Sequence, residues 1–303
     1  MISVKNLSKS FGNFVAVNDL SFDVNPGDIV GFLGPNGAGK STTMKMLTGF
    51  LTPTSGYVRI DGRRVAKNTT QLQKLIGYLP EGAPAYDEMT VYQFLHFIAD
   101  IRGLSKKEKL AGLQQVIDQI ELHDVLDQPI ETLSKGFKRR VGLAQAIIHN
   151  PQILILDEPT DGLDPNQKQH VRNLITSLSK DKIVIISTHI LEEVSAVCNR
   201  VVIIAEGTKK FDGTPLELQQ QSRYYQSVTL KFSYAADITG LLEIEGVDDM
   251  KVDKHTGEVT LFPAKGQFIL GPVTEYIHHY KLPVDRLHVD QGRLDDVFMQ
   301  ITS

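Results

Sequence analysis

The stretch Gly34-Pro35-Asn36-Gly37-Ala38-Gly39-Lys40-Ser41, spaced G-x-x-x-x-G-K-S, decides how the rest of this chain is read. It follows the run Asp28 to Leu33, whose Ile29, Val30, Phe32 and Leu33 suit a buried strand. It leads into Ser41 to Phe50, which predicts a helix. Gly34, Gly37 and Gly39 allow positive φ and close backbone approach, so successive N–H groups can point at phosphate oxygens. The helix adds the positive end of its dipole, about half a charge, at the same place. Lys40 supplies a full cation for the β- and γ-phosphates, and the Ser41 hydroxyl is placed to ligate Mg²⁺. A nucleotide site is the expectation.

The 303 residues suffice for one large domain, or for one of typical size with a smaller one. Hydrophobic content of 41% and 22% charge are ordinary for a globular protein that buries a core. Lys and Arg total 32 against 36 Asp and Glu, a net charge of −4, so nothing points to general affinity for nucleic acid. The single cysteine, Cys198, excludes an internal disulfide and a cysteine-based metal cluster and reads as a small buried apolar residue. Met1 to Lys5 has the alternation of a strand rather than the pattern of a secretory leader, and no apolar run approaches the ~20 residues of a membrane span.

Upstream of the loop, Ser3 to Asn6, Phe14 to Val17 and Leu20 to Val24 predict short strands. Phe11 between them is either a core or hairpin aromatic or a platform on which adenine stacks. Downstream, Tyr57 to Ile60 and Leu75 to Leu79 predict strands, the second ending at Pro80-Glu81-Gly82-Ala83-Pro84. Residues from about 85 to 145 are mostly helical, because Val91, Phe94, Leu95, Ile98 and Ile101 share one face and Leu110, Leu113, Ile117 and Ile120 another. Thr132 to Gly136 closes this insertion and Phe137 to His149 predicts a further helix. Ile153 to Leu156 and Ile183 to Ile186 are runs of four aliphatics, as expected for strands covered on both faces. The first ends in Asp157-Glu158 and the second in Ser187-Thr188-His189, at the edge where open α/β sheets bind ligands.

Beside a phosphate loop, these residues acquire roles. Asp157 can hold Mg²⁺ through water, and Glu158 can orient or deprotonate the water that attacks a γ-phosphate. His189 either caps the following helix or contacts the γ-phosphate. Beyond the polar run Gln219-Gln220-Gln221, a plausible linker, strands at Val228 to Phe232, Glu258 to Phe262 and Val284 to Val289 alternate with helices at Pro272 to Tyr280 and Leu294 to Ile301. His278, His279 and His288 read there as solvent or interface residues.

Over roughly residues 1 to 220 this order closely resembles the ATP-binding subunits of ATP-binding cassette (ABC) transporters. The deciding element is Leu133-Ser134-Lys135-Gly136-Phe137, similar to that family's Leu-Ser-Gly-Gly-Gln signature. The resemblance implies an α/β phosphate-loop ATPase domain with a helical subdomain over 1–220, followed by a small α+β domain over 221–303. It also implies Mg-dependent ATP hydrolysis. By it, Phe11 is the adenine platform, and Gly34, Pro35, Asn36, Gly37, Ala38, Gly39, Lys40, Ser41 and Thr42 bind phosphate. Ser41, Glu81 and Asp157 are the metal residues, Glu158, His189 and Lys40 the catalytic ones. Asp161 to Asp164 would contact a second copy, whose ATP Ser134 and Gly136 would reach in trans.

Glu81 stands where most members carry Gln, Lys135 replaces Gly and Phe137 replaces Gln. Glu81, Lys135 and the closing run Leu294-Asp295-Asp296-Val297-Phe298 resemble exporter-type subunits of drug-resistance and gliding-motility systems. The implied partners are a second copy and a separate integral-membrane permease reached through Glu81 to Tyr92. The implied place is cytoplasmic, on the inner face of the cell membrane, with no nucleic acid bound. A soluble ABC-type ATPase acting on ribosomes or DNA is the alternative.

Overall fold

The computed structural model describes residues 1–82, 85–234 and 236–302; Ala83 and Pro84 of the expected permease loop lie outside them. The chain forms two compact units, residues 1–215 and 216–301.

The first unit begins with the long strands β1 (Ile2–Phe11) and β2 (Phe14–Val24). The sequence divides the second at Asn18-Asp19, yet it runs on as one strand because a bulge absorbs the break. Asn6 and Asp19 both take positive φ there, at 48° and 51°, and the Asn6 amide donates to the Asp19 carboxylate at 2.7 Å. The buried strand β3 (Ile29–Leu33) runs into the phosphate loop and α1 (Lys40–Leu47). That helix stops short of the expected Phe50. The Thr48 hydroxyl bonds back to the Met44 carbonyl at 2.9 Å and Gly49 turns left-handed at φ 76°. Next come β4 (Ser55–Ile60), β5 (Arg63–Arg64), α2 (Thr69–Gln73) and β6 (Ile76–Leu79).

Three helices fill the insertion. α3 (Val91–Ile101) and α4 (Lys106–Ile120) each open on a capping box, Thr90 with Gln93 and Ser105 with Glu108. α5 spans Lys135–Ile147. Then follow β7 (Ile153–Asp157), α6 (Pro165–Leu178), β8 (Ile183–Thr188), α7 (Leu191–Val197), β9 (Arg200–Ala205) and β10 (Thr208–Gly213).

Two sheets result. One is antiparallel, in the order β2-β1-β4-β5; the other runs β10-β9-β3-β8-β7-β6, parallel except for β10 at its edge. Every residue of β3, β6, β7 and β8 is buried, as strands between covering layers require. Val30, Phe32, Ile155, Ile185 and Met44 share a core with Ile2, Val4 and Phe22 of the antiparallel sheet. Because β3, β8 and β7 are parallel neighbours, Leu33 pairs with Thr188 and Asp157 with Ser187. The phosphate loop, Asp157-Glu158 and His189 therefore leave the sheet side by side.

The second unit contains α8 (Pro215–Gln219), the antiparallel sheet β12 (Val247–Val252), β13 (Val259–Pro263), β11 (Val228–Phe232) and β14 (Val284–Val289) in that order, and α9 (Leu270–Tyr280) and α10 (Leu294–Thr302). Val228, Leu230, Val259 and Leu261 pack on Leu241, Ile269 and Val273 to give it a core of its own. The Gln219 to Gln221 run is a helix end and turn, with the Gln220 and Gln221 N–H groups bonded to the Leu216 and Leu218 carbonyls. His278, His279 and His288 are exposed. Among the described residues no helix is long and apolar enough to cross a membrane, and no His, Cys, Asp and Glu cluster could hold a metal by itself.

Candidate functional site

The loop after β3 is built by its glycines for different reasons. Gly37 and Gly39 take φ 79° and 101°, as the sequence predicts. Gly34 does not have positive φ; glycine fits there because a Cβ would meet the Ile204 carbonyl oxygen at 2.4 Å. Gly39 carries both constraints, since its Cβ would also meet the Ala16 carbonyl at 2.4 Å. Lys40 is buried, with Nζ donating to the Gly34 and Pro35 carbonyls at 2.8 and 3.2 Å. Burial pulls its pKa down, while the nearby charges of Glu158, Asp157 and Glu81 pull it back. Phe14, Ala16, Asn36, Gly37, Gly39, Lys40, Ser41, Thr42, Glu81 and Glu158 line one cavity of about 370 Å³. That is room for a phosphate chain among groups that suit it.

At the head of β7 the Asp157 carboxylate is buried and neither oxygen has a hydrogen-bond partner. A buried anion left unpaired is costly, and a cation or its bound water would satisfy it. Ser41 Oγ lies 3.5 Å from Glu81 Oε2, so a hydroxyl and a second carboxylate oxygen stand together on the same cavity. Hydroxyl and carboxylate oxygens are the donor set that Mg²⁺ takes.

Glu158 is held in the left-handed region at φ 53°, which costs a residue with a side chain about 1–2 kcal/mol. Its N–H donates to the Ser187 carbonyl at 2.8 Å, and its carbonyl accepts from the Asp161 N–H at 3.1 Å. So fixed, Glu158 Oε1 lies 2.9 Å from His189 Nδ1. His189 is exposed and does not cap α7; the Thr188 hydroxyl instead accepts the Ile190 N–H at 3.0 Å. Phe11 is half exposed and pairs across the hairpin with Phe14, which excludes a core role, and Lys9 Nζ lies over its ring, 5.2 Å from the centroid.

The signature region differs from expectation in one respect. α5 starts at Lys135 rather than Phe137, with Ser134 as its N-cap, the hydroxyl accepting the Phe137 N–H at 3.3 Å. Lys135, Gly136 and Phe137 thus form the first helical turn. Lys135 Nζ pairs with the Asp161 carboxylate at 2.8 Å, and this bond holds the Asp161 carboxyl below its usual pKa. Gly136 is buried where a Cβ would lie 3.3 Å from both Gln167 Oε1 and the Gly162 carbonyl.

Two groups are not evident from the sequence. Phe14 and Ala16 line the Lys40 cavity, although their alternation reads only as strand. Arg139, buried on α5, sends Nη1 to the Pro80 carbonyl at 2.9 Å and Nη2 to the carbonyls of Asp157 and Glu158. No spacing rule links a helical arginine to carbonyls 18 or 59 residues away.

A family model described as "ABC transporter" matches residues 17–161. The uncharacterized ABC transporter ATP-binding protein YxlF of Bacillus subtilis (strain 168) is 39% identical over 243 residues, 80% of this chain and 80% of that protein. The bacitracin transport ATP-binding protein BcrA of Bacillus licheniformis is 33% identical over 305 residues, 99% of this chain and 97% of that one. A solved structure of an ATP-binding subunit of an ABC transporter superposes with a TM-score of 0.68 at 32% identity, covering 73% of this chain and 92% of the other.

Proposed function

The chain belongs to the ABC transporter family as one of its ATP-binding proteins, and on that premise we propose that two copies close on two Mg-ATP, hydrolyse them and drive a separate membrane permease, in the exporting direction. The observation that carries this reading is the Glu158–His189 pair at 2.9 Å, with Glu158 lining the Lys40 cavity and following directly on the buried, unpartnered Asp157 carboxylate. Lys40 and the loop N–H groups hold the β- and γ-phosphates. Phe11, half exposed, is the ring on which adenine would stack. Ser41, Glu81 and Asp157 would hold Mg²⁺, which neutralises charge on the β- and γ-phosphates. Glu158 orients the attacking water and accepts its proton.

His189 has one nitrogen engaged with Glu158. For its other nitrogen to donate to a γ-phosphate while that bond persists, the ring must carry both protons; otherwise ATP must draw the ring away from Glu158. Ser134 and Gly136 would meet the second copy's γ-phosphate at the N-terminus of α5, where an anion is favoured. Phe50, Tyr78, Ile98 and Ile101 line an apolar groove of about 270 Å³, with Phe50 and Ile101 exposed. The groove adjoins the strand that leads to Glu81, which supports a permease contact in this region. Likeness over nearly its full length to a bacitracin transport ATP-binding protein supports a transport role, and the exporting direction rests on the exporter-type resemblance of Glu81, Lys135 and the run Leu294 to Phe298.

The test is Glu158→Gln. It should lose steady-state ATP hydrolysis by roughly two orders of magnitude or more while ATP-dependent dimerisation survives in size-exclusion chromatography. Hydrolysis at the wild-type rate would overturn the assignment.

A further inference from the structure

We propose that Glu193 is a positioning residue for hydrolysis, a buried clamp that keeps Glu158 and His189 in register. The inference rests on the reading of that pair given above. Glu193 lies on α7 and is 5% exposed, and no lysine, arginine or histidine pairs with it among the described residues. Both of its oxygens are nevertheless engaged. Oε1 accepts the Thr160 hydroxyl and Oε2 the Thr188 hydroxyl, the latter at 3.1 Å. Thr160 is 3% exposed and Thr188 fully buried, so water competes for none of these bonds.

Thr160 stands two residues after Glu158, and Thr188 immediately precedes His189. The Thr188 hydroxyl also accepts the Ile190 N–H at 3.0 Å, closing a turn over His189 itself. One carboxylate therefore spans the two segments whose side chains meet at 2.9 Å on the cavity side. Asp161, which pairs with Lys135, follows Thr160 directly, so the same clamp fixes the start of the loop expected to face a second copy.

Burying an anion without a cation is unfavourable, and a leucine would fill such a helix position at lower cost. What the carboxylate adds is two acceptors in one rigid plane, which set the separation of the two hydroxyls and hence of the segments that carry them. A clamp of this kind acts on the geometry of the attacking step and leaves the phosphate loop untouched. Its loss should appear in kcat and not in ATP affinity.

The experiment measures ATP hydrolysis by the full chain, binding of a fluorescent ATP analogue, and thermal melting, for Thr160→Val, Thr160→Ser and Glu193→Gln. Thr160→Val keeps the shape but removes the hydroxyl, and should lower kcat about tenfold or more with analogue affinity within about twofold of wild type. Thr160→Ser, which retains the hydroxyl, should return kcat to within about twofold. Glu193→Gln should also lower kcat at unchanged affinity, because its amide can no longer accept both hydroxyls.

Wild-type kcat in Thr160→Val, or equal losses in the valine and serine variants, would overturn the proposal. Should Thr160→Val melt below the assay temperature, Glu193→Gln decides: kcat within twofold of wild type overturns the clamp. Glu158→Gln and His189→Ala are run alongside. If those two hydrolyse normally the reading of the pair itself fails; if they are inactive while the threonine and Glu193 variants are normal, only the clamp fails.

Discussion

Replacing Arg139 by methionine should cost the fold about 3 kcal/mol, and the figure follows from its three acceptors. The guanidinium donates to the carbonyls of Pro80, Asp157 and Glu158, and the residue is 5% exposed. A hydrogen bond from a charged donor contributes about 1.5 kcal/mol or more, so three lost bonds sum to roughly 4–5 kcal/mol. Methionine recovers part of this by burying apolar surface without the cost of desolvating a cation. Nε is already buried without a partner, so nothing further is lost there. Arg139→Lys supplies a compact ammonium in place of a planar fork and should reach one carbonyl securely, recovering about 1 kcal/mol.

Urea denaturation at constant m-value reads the difference as a shift of midpoint. Because Arg139 also pins the left-handed Glu158, kcat should fall in both variants by more than ATP affinity does. A methionine variant with the wild-type midpoint, or a lysine variant fully equal to arginine, would refute the reasoning.

Gly39→Ala places a Cβ 2.4 Å from the Ala16 carbonyl at φ 101°; it should destabilise by about 2 kcal/mol or more and weaken nucleotide binding, and unaltered melting and binding would show that the loop does not need glycine there. Glu81→Gln removes one carboxylate from the Ser41 side of the cavity and should raise the Mg²⁺ concentration needed for half-maximal hydrolysis while leaving melting unchanged; an identical Mg²⁺ titration would return Glu81 to the solvent. Burial, with the Arg102 charge adding to it, lowers the His149 pKa from its ordinary 6.5 to about 4. The unfolded chain then binds this proton between those values and the folded chain does not, so stability rises with pH from about 4 to 6.5 and is flat in this respect outside that window. His149→Gln should flatten that rise in urea midpoints taken across the range, and an unchanged slope would assign it to other groups.

The phosphate loop, the two carboxylates and the histidine were legible because each lies at a strand end marked by four apolar residues, and parallel pairing brings such ends together. The resemblance named the family through the order of these motifs, with Leu133 to Phe137 as the deciding element. The positive φ of Gly37 and Gly39 was legible from residue type, but the need for glycine at position 34 was not, because it comes from Ile204 on another strand. Helix limits were misread at several places, two of them for clear local reasons. A threonine that bonds back to its own helix ended α1 early, and Ser134 capped α5 two residues ahead of its apolar face. Arg139 and Glu193 were illegible for a stronger reason. Their partners are backbone carbonyls and hydroxyls, which nothing in a linear pattern distinguishes from any others.

The strand β6 has a neighbour on one side only, since it closes the parallel sheet beyond β7. It leads at once to Pro80 and Glu81, and the Pro80 carbonyl shares the Arg139 guanidinium with Asp157 and Glu158. Mechanically, this is a cantilever. A load applied beyond Leu79 bends a beam clamped along a single edge, and one strut that resists it ends on the backbone of Asp157 and Glu158. Deflection of that free end and displacement of Glu158 therefore share an elastic element, and the stiffness of Arg139 helps set how much of one becomes the other.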